Sequence, residues 1–176
     1  MKNIRMMKVV PFLLMTAFLL SCNKKRATDF RDVILQKEKD ISDMLIRKTG
    51  LESRKLEWLI AEDFDKAAAV VDSQEQVFNT TIHEIEALDT GDLAAAGALK
   101  QAAVDYHIAL KELYLYPRQE IARQQQLLKV SGPAADSIQH SLLQLYKGKQ
   151  QLYQKVYDTN ERYVYATQQF NETHRL

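Results

Sequence analysis

The chain has 176 residues, and its 24 Lys and Arg against 23 Asp and Glu give a formal net charge of +1 at pH 7. Nucleic-acid binding usually requires a strongly basic face, and neither this balance nor any clustering of charge provides one, so we expect no nucleic-acid partner. Five Gly, three Pro and one Cys are typical of long helices and exclude an intramolecular disulfide.

The first 21 residues have the three parts of an export signal. Lys2, Arg5 and Lys8 make a basic start, an apolar run follows over residues 9–20, and a small residue stands just before Cys22. The apolar run has about 12 residues, whereas a helix needs roughly 20 to cross the hydrocarbon core of a bilayer. We therefore predict a signal peptide over residues 1–21 rather than a membrane span.

The end of this segment, Leu19-Leu20-Ser21-Cys22, resembles the lipobox of bacterial lipoproteins. The resemblance implies cleavage between Ser21 and Cys22, diacylation of the Cys22 thiol and further acylation of the new amino group. Two or three acyl chains anchor a protein stably, whereas one alone is marginal. The alternative is an ordinary secretory signal that leaves a free thiol, but the only cysteine of the chain stands where the lipobox requires it.

Residues 22–28 are expected to form the lipidated Cys and a short basic tether, and residues 29–176 a helical-bundle domain. By similarity to Gram-negative lipoproteins, Asn23 directly after the Cys implies transfer to the outer membrane. The tether lacks the acidic cluster that accompanies export to the cell surface in some lineages, which favours the periplasmic face. Removing residues 1–21 leaves 21 Lys and Arg against 23 Asp and Glu in the mature chain.

Turn and capping signals divide the remainder into four predicted helices. The first covers residues 28–48, with Thr28 or Asp29 as N-cap. Gly50 is expected to adopt the left-handed conformation that ends a helix, and residues 49–52 fit a capping box that begins the next one. A continuous helix through Gly50, at a cost of about 1 kcal/mol relative to Ala, is the alternative. The predicted apolar stripe is Phe30, Val33, Ile34, Ile41, Met44 and Leu45.

The second helix is predicted over residues 51–88 and the third over residues 93–130. Gly91 is expected to end the former, and Asp92 or Thr90 to cap the latter. Core residues recur at alternating steps of four and three, which predicts coiled-coil-like packing. They are Ile60, Phe64, Ala67, Val71, Gln74, Phe78, Thr81, Ile85 and Leu88, then Ala96, Leu99, Ala103, Tyr106, Leu110, Leu113, Ile121, Gln124 and Leu128.

Pro117 interrupts the third helix, because it lacks a backbone donor and clashes with the carbonyl four residues earlier. A kink is the main expectation, and a full break with Pro117 in the first turn of a new helix is the alternative. Gly132 and Pro133 mark a clear stop and restart before a fourth helix over residues 134–173. Its predicted core is Ile138, Leu142, Leu145, Lys149, Leu152, Val156, Thr159, Tyr163, Ala166 and Phe170.

These elements predict an all-α fold, an elongated antiparallel up-down helical bundle. The last three helices have about 40 residues each, or roughly 60 Å, and the first is about half as long. Short connections favour antiparallel neighbours. The half of the bundle that the first helix leaves uncovered would have three helices or open as a groove.

No catalytic or metal-binding pattern stands out in the chain. Metal sites inside bundles use Glu-x-x-His pairs, and none of the four histidines has a Glu three residues before it. A surface metal site at His83 with Glu84 and Glu86 is an alternative to simple solvent exposure. We expect no catalytic residues, no metal and no cofactor, and therefore not an enzyme.

The tyrosines have the most unusual distribution, since all eight lie between Tyr106 and Tyr165. Four of them, Tyr146, Tyr153, Tyr157 and Tyr165, flank the predicted core of the last helix and form a candidate interaction surface. Ordinary packing at the edge of the core is the alternative. We expect an envelope lipoprotein, anchored to the membrane by lipid, that contacts an unknown protein or its own copies. A module that binds a small apolar ligand or a metal is the second hypothesis.

Overall fold

In the computed structural model the chain is an all-α bundle, as predicted. The structure describes the backbone of residues 9–176 and the side chains of residues 23–176. The predicted signal peptide, Ser21 and Cys22 lie outside the residues whose side chains are described. The helices are α1 (Val9–Ile46), α2 (Leu51–Ile60), α3 (Phe64–Glu86), α4 (Ala96–Leu115), α5 (Pro117–Leu127) and α6 (Pro133–His174).

Helix α1 contains the residues that were expected to form the basic tether. The Thr28 hydroxyl donates to the carbonyl of Lys24 at 3.0 Å, so the predicted N-cap at Thr28 or Asp29 is wrong. Ala27 is fully buried in the core, and Lys24 Nζ donates to the carbonyl of Arg175 at 2.9 Å. The helix extends through this segment because its residues are good helix formers and Ala27 gains a buried position.

The predicted break at Gly50 is confirmed, but its geometry differs from the expectation. Gly50 is the N-cap of α2 with φ −71° and ψ 169°, an extended conformation, and no side chain caps the helix. The predicted left-handed stop and capping box are therefore wrong. Glycine is required here by space, because a Cβ would lie 2.9 Å from the carbonyl oxygen of Arg47 and still closer to that of Met44.

The predicted second helix is two helices, because the chain reverses direction between α2 and α3. Glu62 adopts φ 56°, and Asp63 caps α3 by accepting from the Lys66 amide at 3.1 Å. Ile60 lies at this turn and is 84% exposed, so its predicted core position is wrong. Six of the other predicted positions are confirmed on α3, where Ala67, Val71, Gln74, Phe78, Thr81 and Ile85 are buried, and Phe64 and Leu88 are half-buried.

The turn between α3 and α4 is longer than predicted. Helix α3 ends at Glu86, Gly91 has the left-handed φ of 50°, and the N-cap of α4 is Ala95 with φ 61°. The predicted cap at Asp92 or Thr90 is therefore wrong. The Asp92 carboxylate instead pairs with Arg26 at 2.8 Å, which attaches the turn to α1.

Pro117 begins α5, while Tyr116 between α4 and α5 keeps right-handed helical angles of φ −55° and ψ −38°. The backbone therefore keeps a right-handed helical conformation through Tyr116. A new helix begins at Pro117, with the proline in its first turn, as in the alternative prediction. The Tyr116 hydroxyl donates to the carbonyl of Leu145 on α6 at 2.8 Å. Gly148 leaves the space for it, since a Cβ there would lie 2.6 Å from that hydroxyl.

Helix α6 runs for 42 residues after Gly132, which has φ 61°, with Pro133 in its first turn as predicted. Its second half supplies the buried residues Thr159, Tyr163, Ala166 and Phe170. The predicted core residues of its first half are only half-buried: Ile138, Leu142, Leu145, Lys149, Leu152 and Val156. The two halves of α6 therefore have different neighbours.

The largest apolar cluster joins α1, α3, α4 and α6 around Ile34, Ile85, Leu99 and Phe170. Smaller clusters lie around Phe78, which packs on the end of α1, and around Ile121, which packs on the start of α3. Three other predicted core positions are wrong, because their side chains are exposed: Val33, Gln124 and Leu128.

Contacts between α1 and α6 show which part of α6 helix α1 covers. Arg31 donates to Asn171, and Glu38 accepts a hydrogen bond from Tyr163. Residue numbers rise along α1 while they fall along α6, as in antiparallel neighbours. The up-down arrangement of the whole bundle stays a prediction. The first half of α6 is paired instead with α4 and α5, through Lys155–Glu112 at 2.6 Å and Lys149–Glu120 at 3.2 Å.

The contact between Tyr116 and Gly148 predicts non-additive effects on stability. Gly148→Ala gains about 1 kcal/mol of helix propensity but displaces the Tyr116 hydroxyl and loses a hydrogen bond worth about 1 kcal/mol. In a Tyr116→Phe background only the ring carbon remains, at 3.6 Å, so Gly148→Ala should raise the free energy of unfolding by about 1 kcal/mol. Urea unfolding of the four variants measures the difference.

Gly97→Ala is the matched control, because a Cβ at Gly97 meets nothing within 4 Å. It should change the free energy of unfolding equally in the wild-type and Tyr116→Phe backgrounds. Equal effects of Gly148→Ala in both backgrounds would contradict the packing described for Tyr116.

Candidate interaction surface

Helix α6 carries a second seven-residue repeat, offset by one residue from its core. We call this surface the tyrosine stripe; its residues are Leu143, Tyr146, Gln150, Tyr153, Tyr157, Asn160 and Val164. One residue corresponds to a rotation of about 100°, so the stripe lies beside the core rather than in it. Tyr146, Tyr153 and Tyr157 are 62%, 52% and 58% exposed. A helix with two such stripes can pack on two sets of neighbours.

The stripe is uncovered because α1 lies beside only one end of it. Leu35 and Glu38 of α1, together with Asn160, Tyr163, Val164, Thr167 and Gln168 of α6, line a groove of about 180 Å³. Further along α1, Ile41 and Leu45 pack on Phe78 instead. The tyrosine stripe thus continues the face that α1 contacts, past the point where α1 turns towards α3.

Of the four tyrosines predicted from the sequence, three lie in line on this stripe. Tyr165 is 63% exposed but stands one residue beyond Val164, about 100° further round the helix. The other members of the stripe were not predicted: Leu143, Gln150, Asn160 and Val164. Their seven-residue spacing was the available signal, but the stronger core repeat one residue earlier concealed it.

Charged groups flank the stripe on its solvent side. Tyr157 hydrogen-bonds Glu161, and this bond raises the pKa of the Tyr157 hydroxyl. Lys147 is exposed on the same side, about two turns from Tyr153 towards the start of the helix. Tyr153 also lies near Tyr114 of α4, whose pKa is raised mainly by burial and, in part, by Glu52 and Tyr153. The stripe therefore has an apolar centre with opposite charges at its two ends.

A second groove, of about 390 Å³, lies on the other side of α6 against α4 and α5. Its lining residues are Lys111, Glu112, Leu115, Tyr116, Arg118, Gln119 and Leu152. Arg118 is held by Asp72 at 2.7 Å and Glu75 at 2.8 Å, and these bonds raise the pKa of its guanidinium. The groove therefore combines the apolar side chains of Leu115 and Leu152 with charged ones.

A buried polar cluster attaches α2 to α3. Lys55, only 2% exposed, pairs with Glu52 at 2.8 Å, and Gln74 Nε2 donates to the same carboxylate oxygen at 3.0 Å. Gln74 Oε1 has no protein partner. Gln74 occupies a core position of the α3 repeat, where the cluster fixes how α2 packs, because each polar group requires its partner.

A second polar cluster, which was not predicted from the sequence, contains His107. His107 is fully buried; its Nδ1 lies 2.7 Å from the carbonyl of Ala103, and its Nε2 has no partner. Tyr106 stacks on Tyr163 with ring centroids 5.6 Å apart, and the Tyr163 hydroxyl donates to Glu38 at 3.2 Å. The available signal was the position of His107 four residues after Ala103, on the core face of α4.

Burial governs the protonation of this cluster. It lowers the pKa of His107, against smaller opposing effects of the Ala103 carbonyl and Glu38, and it raises the pKa of Tyr163, with Glu38 adding to the shift. The imidazole is therefore neutral near pH 7, with Nδ1 donating to the carbonyl. These side chains pack against one another in the core. Their arrangement alone does not define an acid–base site, which also requires a group that gives or accepts the proton during a reaction.

Within residues 23–176, no group of three or more His, Cys, Asp and Glu side chains is placed to hold a metal ion. At the surface metal site considered from the sequence, Glu84 pairs with Lys37 at 2.6 Å and His83 is exposed. Among the described helices, none is long and apolar enough to cross a membrane.

Comparison with known proteins gives no family for this chain. No protein-family model, no curated protein and no solved structure matches it. A proposal about its function therefore rests on the tyrosine stripe, the charges beside it and the helices around it.

The low pKa of His107 predicts a pH dependence of stability. Its ordinary value is 6.5, so below about pH 6.5 the unfolded chain binds a proton that the folded chain excludes. The contribution of His107 to the free energy of unfolding therefore has its full value above pH 6.5. It falls as the pH drops towards the pKa of the folded state, by at most about 1.4 kcal/mol per pH unit. Urea unfolding at pH 7.5 and pH 5.5 measures it.

The variant His107→Met should reduce this pH dependence, since it removes the titrating group and keeps apolar volume. His140→Gln removes an exposed histidine and is the matched control that should preserve it. An unchanged pH dependence in His107→Met would show that other groups cause it.

Proposed function

We propose that the protein is a bacterial envelope lipoprotein, anchored by acyl chains on Cys22, whose helical bundle acts through protein–protein contacts and not through catalysis. The tyrosine stripe is the observation that carries the proposal. Three half-exposed tyrosines and two aliphatic residues follow one line of α6, and exposed apolar patches of this kind mark interaction sites. Tyrosine provides apolar area with a polar tip and little rotamer entropy to lose.

The lipobox supports the anchor, and Asn23 supports the outer membrane, facing the periplasm, as the location. Helix α1 begins to pack directly after this segment, since Ala27 is buried. A lipid on Cys22 would therefore hold the bundle close to the membrane surface.

A ligand-binding bundle, the second hypothesis, receives less support. The groove of about 390 Å³ has the apolar Leu115 and Leu152 beside charged residues and is open to solvent, whereas ligand pockets bury most of the surface of the molecule that they hold. The interaction proposal is accordingly favoured.

The anchor is tested by changing its two key residues. Cys22→Ser should abolish incorporation of labelled palmitate and leave the uncleaved precursor, because no thiol remains to be acylated. Ser21→Ala keeps a small residue before the Cys and is the matched control, which should be processed normally. Cleavage of Cys22→Ser at the same bond, with normal export, would indicate an ordinary secretory signal instead.

The interaction surface is tested by crosslinking in cells. Replacing Tyr146, Tyr153 and Tyr157 together by Ser should remove most of the crosslinked adducts of the wild-type chain, because the buried area of the contact is lost. Tyr165→Ser is the control, exposed to the same degree but off the stripe. Adducts that persist in the triple variant with unchanged helical circular dichroism would contradict the proposal.

A further inference from the structure

We infer that the tyrosine stripe binds the same stripe of a second copy, with the two α6 helices antiparallel about a twofold axis. The inference rests on the proposed function and names its partner. Twofold pairing requires a surface that is complementary to itself, and the order of polar and apolar residues along the stripe has that property.

One antiparallel register matches like with like from residue 146 to residue 164. In a pair of antiparallel helices, residues of the repeat meet in layers across the seam. Centring the axis at Lys155 places Tyr153 against Tyr157 of the second copy and Gln150 against Asn160. The outer layers pair Tyr146 with Val164. Both polar residues thus meet each other, and each apolar residue from Tyr146 to Val164 meets an apolar residue, while Leu143 at the end of the stripe meets Thr167.

A shift of one repeat destroys this match. Moving the axis by half a repeat towards the start of α6 sets Gln150 against Tyr153 and Leu143 against Asn160. Each of the two polar side chains would then face an apolar partner and lose a hydrogen bond on burial, which is unfavourable. The sequence therefore selects one register among those that the repeat allows.

The flanking charges favour the same register. Lys147 and Glu161 lie on the solvent side of the stripe at equal distances from Gln154, and both are exposed. In the selected register, the levels of Lys147 of one copy and Glu161 of the other differ by about 3 Å along the helix axis, which these long side chains can span, giving two symmetry-related ion pairs. In a parallel pair the two flanking rows lie on opposite sides of the seam, so Lys147 could not reach Glu161 of the other copy and neither ion pair would form.

The groove at the end of α1 accommodates the outer layer. Tyr146 of the second copy would lie at Val164, where Leu35 and Val164 line the groove of about 180 Å³. Glu38 and Asn160, in the same lining, provide acceptors for a tyrosine hydroxyl. The groove thus has the apolar wall and polar end that a tyrosine side chain requires.

A charge exchange tests the pairing in the mature full-length chain, purified in mild detergent and examined by analytical ultracentrifugation. Lys147→Glu and Glu161→Lys should each weaken the dimer by about tenfold, because two ion pairs become two repulsions. The double variant should restore wild-type affinity. A mixture of the two single variants should form the mixed dimer in preference to either homodimer.

Arg162→Glu is the control, since it reverses a charge on α6 about 160° round the helix from Tyr146 and should leave the dimer unchanged. Weakening by Arg162→Glu equal to that by Lys147→Glu, or failure of the double variant to restore the dimer, would overturn the register.

Disulfide trapping tests the direction of the helices. The pair Tyr146→Cys and Val164→Cys in one chain should give a covalent dimer on mild oxidation, because the two new thiols face each other across the seam. Within one chain they are about 27 Å apart and cannot be joined. Tyr146→Cys alone should give no covalent dimer. A covalent dimer from that single variant would indicate parallel pairing and overturn the inference.

The wild-type chain is the control that distinguishes a failure of the dimer from a failure of the proposed anchor. Acylated Cys22 cannot form a disulfide, so a covalent dimer of wild type would show a free thiol and contradict the lipoprotein proposal alone. A folded double-cysteine variant that gives no covalent dimer on oxidation, or that is trapped on a different protein in cells, would overturn self-pairing and leave the anchor unaffected.

Discussion

Helix α1 is held on one half of α6, and the accessible surface of the bundle depends on that contact. Phe30 packs on Phe170 with ring centroids 5.7 Å apart, Arg31 bonds Asn171 and Tyr163 bonds Glu38. Past Glu38, the apolar residues of α1 pack on Phe78 of α3. Because α6 continues unbroken for several more turns, the face that α1 contacts at one end is open to solvent at the other.

Polar residues at core positions have a second influence on the fold. Lys55, Gln74, Thr159 and His107 are buried, and each must find a partner or remain unsatisfied at a cost in stability. Thr159 satisfies its hydroxyl within α6, by donating to the carbonyls of Lys155 and Val156. Gln74 and Lys55 share Glu52, which makes the position of α2 depend on that carboxylate. An apolar core would leave this choice of packing less defined.

The fold class, the seven-residue repeats of α3 and α6, and the stops at Gly50 and Gly132 could be predicted from the sequence. The turn at Glu62 could not, because a non-glycine residue with positive φ leaves no compositional signal. Asp63 likewise resembles an ordinary surface aspartate in the sequence, and only its bond to the Lys66 amide identifies it as a helix cap. Ile60 therefore fits the repeat in the sequence while lying at the turn in the structure.

The candidate surface was predicted in part. The excess of tyrosine indicated Tyr146, Tyr153 and Tyr157, but the sequence alone did not say which neighbours were missing. Exposure depends on where α1 leaves α6, a tertiary property that involves Leu45 and Phe78, residues distant in sequence from the stripe. The burial of His107 likewise depends on helices distant in sequence, because its spacing from Ala103 indicates a face of α4 but not what covers that face.

The bond from Lys24 to the carbonyl of Arg175 has a consequence for orientation at the membrane. It fixes the residues directly after Cys22, the proposed site of acylation, beside the end of α6, and the burial of Ala27 leaves almost no slack between a lipid on Cys22 and the folded helices. Two bundles joined through antiparallel α6 helices would carry their acyl chains at opposite ends, roughly 60 Å apart. The proposed dimer would thus lie flat on one leaflet, attached to it at both ends, with its long side facing away from the membrane.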